Sequence, residues 1–233
     1  MTSPAPRIIV ALDYRDIESV RSLVHQLNPQ QCRLKVGPIL FTRYGPALIQ
    51  ELIQLGFSIF LDLKFHDIPN TVANACYQAA ELGVWMISLH ISGGWEMLSQ
   101  ARKILEPFGK HRPLLVGISV LTSLNETDLQ QIGYANSLPE TVTNLALLAQ
   151  KAQLDGVVCS PHEVGPLRKL LNSTLILVTP GIRWEEGNSH DQKRMMSPRA
   201  AIEAGSDYLV IGRAITEAKD PMTVLQQAIH TIS

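Results

Sequence analysis

The chain has 233 residues, 45% of them apolar and only 18% charged, with a formal net charge of −1. That is enough for one large barrel or for one and a half ordinary domains, and it is core-rich enough that each buried charge needs a reason. Basic residues are scattered singly, which argues against a nucleic-acid or anionic-membrane partner and leaves a small molecule as the expected one.

The first short apolar run, RIIVALD at 7–13, is followed by helical spacing at Ile17, Val20, Leu23, Val24 and Leu27. CRLKVG at 32–37 precedes a helix through Ala47, Leu48, Leu52 and Leu55 that closes near Gly56. SIFLDLK at 58–64 precedes Val72, Ala75, Cys76, Ala79 and Ala80, and Gly83 supplies the left-handed residue that ends this third helix. WMISLHI (85–91), PLLVGISVLT (113–122), GVVCS (156–160), TLILVTPG (174–181) and YLVIG (208–212) bring the expected strands to eight. After the fifth, residues 125–135 are expected to hold a short extra helix before the main one over 138–153.

These strands are too apolar to alternate, the pattern of a parallel sheet buried on both faces. Strict strand–helix alternation with right-handed connections, at about 29 residues per unit, predicts a single-domain (β/α)8 TIM barrel over 1–233. An open doubly wound sheet is the alternative, but the first strand ends ALDYRD with no GxGxxG turn. Cys32, Cys76 and Cys159 have neither disulfide nor zinc spacing and read as core residues in a reducing compartment. MTSPAPRIIVALD lacks a charged start followed by a long apolar segment, and no run reaches a membrane span, so a cytoplasmic protein is expected.

Catalytic groups of such barrels stand at the carboxyl ends of the strands. Asp13 ends the first strand, Lys35 lies near the end of the second, and Asp62 and Lys64 end the third. At i and i+2, Asp62 and Lys64 share one face while Leu61, Leu63 and Phe65 share the other. An inward lysine is costly unless paired, and Lys35, Asp62, Lys64 and Asp67 can compensate one another as alternating charges. A scaffold of ion pairs competes with this reading. Buried ion pairs add little stability over apolar residues, however, so a cluster of four points to chemistry.

The loops after strands seven and eight, TPGIRWEEGNSHDQKR and VIGRAIT, hold the phosphate signal: Gly212 for close backbone approach and Arg213 for forked donation at a helix start. His66 and His190 each precede an aspartate, but no HxxxH accompanies them and lysines would repel a metal, so no metal is expected. His90 reads as a core or site-lining histidine. Ser123 has no His/Asp relay, and Thr122 and Ser123 suit hydrogen bonding to a substrate.

ALD (11–13), LKVG (34–37), FLDLKFHDIPNT (60–71), SVLTS (119–123), DGVVCS (155–160), VTPGIR (178–183), DQKR (191–194) and YLVIGRAIT (208–216), in this order, resemble the bacterial orotidine 5′-phosphate decarboxylases across all eight units. The resemblance implies cofactor-free, metal-free conversion of orotidine 5′-monophosphate to uridine 5′-monophosphate and CO2, completing de novo pyrimidine synthesis. It implies that Lys64 protonates C6, that Asp62 sits beside the departing carboxylate, and that Lys35 and Asp13 contact the ribose and order the charges. Thr122 and Ser123 then fall near the base, Gln192, Gly212 and Arg213 at the phosphate, and Arg183 at another substrate contact. Asp67 and Thr71 are implied to reach into a neighbouring subunit's site, hence a homodimer; the residues alone leave open whether Asp67 acts in its own chain. Residues 183–194, around Gly187, Asn188 and Ser189, are expected to form a lid. Related magnesium-dependent sugar-phosphate decarboxylases and synthases share Asp-x-Lys-x-x-Asp but typically carry a glutamate where this chain has Lys35. A silent barrel that merely binds a nucleotide or sugar phosphate is the non-enzymatic alternative.

Overall fold

Short apolar runs with both faces buried form β1 (Ile8–Ala11), β2 (Arg33–Val36), β3 (Ile59–Phe65), β4 (Met86–His90), β5 (Leu114–Ile118), β6 (Gly156–Val158), β7 (Ile176–Thr179) and β8 (Tyr208–Ile211). In the computed structural model, which describes residues 5–171, 173–183 and 196–232, they close into a barrel in the order β1-β2-β3-β4-β5-β6-β7-β8. Neighbouring strands are parallel, and Ile8 against Leu209 closes the ring.

Helices alternate with the strands: α1 (Ile17–Val24), α2 (Pro38–Gln54), α3 (Pro69–Glu81), α4 (Gly94–Ile104), α5 (Glu126–Gln131), α6 (Leu138–Lys151), α7 (Pro161–Leu170), α8 (Pro198–Glu203), α9 (Arg213–Thr216) and α10 (Pro221–Ile232). Five of them, α2, α3, α7, α8 and α10, begin on proline. Its fixed φ suits the first turn, where its missing N–H loses no helical bond, so short connections stop sharply. The extra helix expected after the fifth strand is α5, whose Asn125 and Asp128 form a reciprocal capping box. Gly83 has φ +81 beyond the end of α3, as its position predicts.

Apart from β3, the strands stop one or more residues short of their expected ends, the fifth by the most. The fifth strand ends at Ile118, and Val120, Leu121 and Thr122 instead line the cavity at the barrel mouth. Pro180, which has no N–H for the ladder, follows the last residue of β7, Thr179. Apolar character thus continues past the ladder because the residues face a pocket rather than a neighbouring strand.

Two apolar clusters result. The outer one lies between strands and helices, and the inner one fills the barrel with Ile9, Ala11, Phe60, Met86, Val116, Val178 and Val210. Toward the amino-terminal end of the strands, the Arg33 guanidinium lies 4.0 Å from the Trp85 ring centroid and 5.1 Å from that of Tyr208, and donates to the Pro6 carbonyl. Lys35, two residues along the same strand, lines the cavity at the opposite end. One strand therefore presents a structural cation to the floor and another to the mouth.

A partly desolvated cation–π contact is worth about 1–2 kcal/mol. Trp85→Leu is expected to lower unfolding free energy by about 2 kcal/mol in urea titration while leaving turnover near the native value, because the plug lies at the end of the barrel opposite the charges.

Candidate active site

The carboxyl ends of the strands surround a cavity of about 280 Å³. Asp13, Lys35, Asp62 and Lys64 line one side, Thr122 another, and Arg183, Gly212 and Arg213 the side formed by the loops after β7 and β8. Phe60, Ile118, Val158 and Val210 supply apolar wall. A polar rim over an apolar wall is the usual composition of a small-molecule site.

The charges form a continuous run. Lys35 Nζ is 3.1 Å from Asp13 Oδ1 and 3.5 Å from Asp62 Oδ2, and Lys64 Nζ donates to the same Asp62 oxygen at 2.8 Å. Asp62 is the hub, its residue only 6% exposed, whereas the Asp13 side chain is about half exposed. Burial alone would raise the Asp62 pKa. The ammoniums of Lys35 and Lys64, with hydrogen bonds from Lys64 and Ser88, outweigh it and hold the carboxyl below its ordinary value.

Lys64 reaches this place through an irregular backbone. Leu61 pairs with Ile87 and Phe65 with Leu89, so the register shifts within β3. Four steps of β3 match two of β4, and Lys64 adopts φ +52, in the left-handed region that is uncommon for a non-glycine residue. Such strain concentrates at functional sites and is held by surrounding contacts. Because the excess is two residues, the alternation survives. Leu61, Leu63 and Phe65 line an apolar space together with Phe41 of α2 and Ala79 of α3, while Asp62 and Lys64 line the mouth, as their spacing predicts.

Asp67 does not join the run within its own chain. It follows the end of β3, is exposed, and accepts from the Ile68 backbone N–H at 2.6 Å. Asp13 takes the end of the run instead, so the order is Asp13, Lys35, Asp62, Lys64. Thr71 is exposed in the first turn of α3, and Ser123 is exposed beyond the cavity-lining Thr122. Gln192, the lid centre at Gly187, Asn188 and Ser189, and His190 lie outside the described residues.

His90 is half-buried, with its ring centroid 5.3 Å from that of exposed His66. Burial, then the charges of His66 and Lys64, push its pKa down against the pull of Asp62. All three cysteines are buried, and burial pushes the Cys32 and Cys76 thiols up to about 12, the inert form expected of core residues. Cys159 also lines the cavity wall.

The residue that sequence reasoning missed is Ser88. Fully buried on β4, it donates to Asp62 Oδ1 at 2.8 Å and accepts from the Lys64 backbone N–H at 3.0 Å. The available signal was parity: in MISLH, Ser88 shares the inward face with Met86 and His90.

The fold and the run of charges define a (β/α)8-barrel enzyme with a buried carboxylate held between two lysines at its mouth. The family model for orotidine 5′-phosphate decarboxylase / HUMPS matches residues 6–228, and the chain belongs to that family. Among its relatives, the orotidine 5′-phosphate decarboxylase of Pseudoalteromonas translucida is 54% identical over 226 residues, covering 97% of each chain. That of Coxiella burnetii is 52% identical over 227 residues, covering 97% of this chain and 96% of the relative. The crystal structure of orotidine 5′-phosphate decarboxylase from Lactobacillus acidophilus is similar at a TM-score of 0.88 and 35% identity, covering 98% of this chain and 99% of that one. An uncharacterized conserved protein from Geobacillus kaustophilus gives 0.86 at 34% identity, with 97% and 100% covered.

A carboxyl held below its ordinary pKa contributes stability that is present above the unfolded-state value and lost as pH falls through the folded-state value. Removing Lys35 withdraws the largest favourable charge on Asp62. Lys35→Met is therefore expected to cost about 3 kcal/mol at neutral pH, a loss that narrows as pH falls and Asp62 takes up its proton. The double variant Lys35→Met/Asp62→Leu should regain most of that loss, as followed by circular dichroism against pH and denaturant.

Proposed function

We propose a division of labour among these residues for the decarboxylation of orotidine 5′-monophosphate to uridine 5′-monophosphate and CO2. This is the reaction the chain catalyses as a member of its family, in pyrimidine biosynthesis. The observation that carries the assignment is the run Asp13, Lys35, Asp62, Lys64, whose last ammonium faces the cavity.

Breaking the bond between C6 and the carboxylate sends an electron pair to a ring carbon that has no electron sink. The Lys64 ammonium offsets that charge as it develops, then gives C6 a proton, and solvent restores the lysine. Asp62 stands beside the departing carboxylate, so the repulsion between like charges ends as neutral CO2 leaves. Lys35 keeps Asp62 ionised and, with Asp13, contacts the ribose hydroxyls. Thr122 and Ser123 contact the base. Gly212, Arg213 and Gln192 hold the phosphate, with Arg183 as a further substrate contact. Binding energy from the phosphate end is spent on closing the site, which lowers the barrier rather than only tightening the substrate. The chemistry uses neither metal nor cofactor.

The working unit is a homodimer of one-domain barrels (1–233), with Asp67 and Thr71 serving the neighbouring site. Both are exposed, and Ile68, which lies between them in sequence just before α3, exposes 67% of its surface, apolar area of the kind an interface requires. A cytoplasmic location fits the described residues, in which no helix is long and apolar enough to cross a membrane.

Lys64→Ala is expected to abolish turnover in an ultraviolet assay run with and without chelator, while uridine 5′-monophosphate still binds. Substantial remaining decarboxylation would remove Lys64 from its role, and chelator sensitivity would refute the metal-free reading. A mixing experiment tests the shared site. Lys64→Ala and Asp67→Ala chains, each inactive alone, should regain activity on subunit exchange, since one site of each mixed dimer holds both native residues. No recovery after verified exchange would place Asp67 in its own chain's site.

A further inference from the structure

The irregularity in β3 poses a hydrogen-bonding problem. Between the pairs Leu61↔Ile87 and Phe65↔Leu89, three residues, Asp62, Leu63 and Lys64, stand against one residue of β4, Ser88. A ladder with three residues facing one cannot satisfy each backbone group in the regular way, and a buried amide left unpaired is costly. Here the Lys64 N–H goes to the side chain of Ser88 at 3.0 Å instead of to a β4 carbonyl. The same hydroxyl donates to Asp62 Oδ1 at 2.8 Å, leaving Oδ2 for the two lysines.

A hydroxyl suits this place because it donates once and accepts at the same time. Alanine would leave both the Lys64 amide and one carboxylate oxygen without this partner. Threonine keeps both functions. Cysteine keeps the size, but its thiol is a weak donor and a weak acceptor.

We propose that Ser88 is the positioning residue of the charged run: it fixes the backbone of Lys64 in its left-handed conformation and the rotation of the Asp62 carboxylate with one hydroxyl. It is fully buried and is not among the residues that line the cavity. Its effect is to hold the Lys64 ammonium and the Asp62 oxygen at their mutual distance of 2.8 Å. Lys64 adopts φ +52, so without this bond its backbone has an easier conformation to relax into, and the ammonium would leave its place. Misplacement of a catalytic group by about 1 Å costs on the order of a hundredfold in rate.

This inference rests on the assignment of Lys64 and Asp62 above, and the experiment separates the two. Ser88→Ala, Ser88→Thr and Ser88→Cys are compared with Lys64→Ala and the native enzyme by steady-state kinetics with orotidine 5′-monophosphate and by thermal melting. The expected result is a fall in kcat for Ser88→Ala of about tenfold to a hundredfold, with KM changed less than about threefold. Ser88→Thr should restore most of kcat and Ser88→Cys little. A purely structural serine would instead lower the melting temperature and the yield of active enzyme, with no selective loss of kcat and no rescue that follows the hydroxyl. The inference is overturned by near-native kcat in Ser88→Ala, or in Ser88→Cys should the alanine variant not fold. It is equally overturned if a folded Ser88→Thr is as slow as Ser88→Cys. If Lys64→Ala itself keeps its turnover, the assignment of Lys64 fails first; native-like Ser88→Ala beside an inactive Lys64→Ala removes only Ser88.

Discussion

A carboxylate buried midway along β3 governs the site. Asp62 is tolerable there because Lys35 and Lys64 approach one of its oxygens and Ser88 the other. Each lysine in turn is tolerable at the barrel mouth because Asp62 is ionised. Neither charge sign would stay put alone, since an isolated buried ion neutralises or drags water in. The barrel contributes the geometry: adjacent parallel strands bring positions 35, 62 and 88, far apart in sequence, to neighbouring places in the wall.

The arrangement resembles a stress-bearing joint more than a stabilising core. Apolar residues of similar volume would hold the strands together at least as well as these ions. The strained backbone at Lys64 points the same way, because strain persists only where neighbouring contacts over-determine it. What the chain obtains is an ammonium held 2.8 Å from a buried carboxylate, the preorganisation on which the proposed role of Lys64 relies.

Eight strands were legible because parallel strands buried on both faces read as unbroken apolar runs, as in RIIVALD and YLVIG. Strand ends were less so, since Val120 and Leu121 are as apolar as ladder residues yet face a cavity. The Asp62/Lys64 pairing was legible through two-residue alternation, which survives the irregularity in β3 only because its excess is even. Two things were hidden. Asp67 reads as a third charge on the strand, but the chain turns after Phe65 and ties its carboxylate to the next amide. Ser88 reads as one small polar residue in an apolar strand, and its part emerges only when the register shift leaves it alone opposite three residues.

The stack of Arg33 on Trp85 and Tyr208 has a consequence beyond stability. With that stack below and the close-packed Ile9, Met86, Val116 and Val178 above it, the barrel formed by the described residues is a well with no drain. Nucleotide and gas alike must therefore leave by the rim through which the nucleotide came. Any covering that shuts water out during the reaction would hold the products in as well.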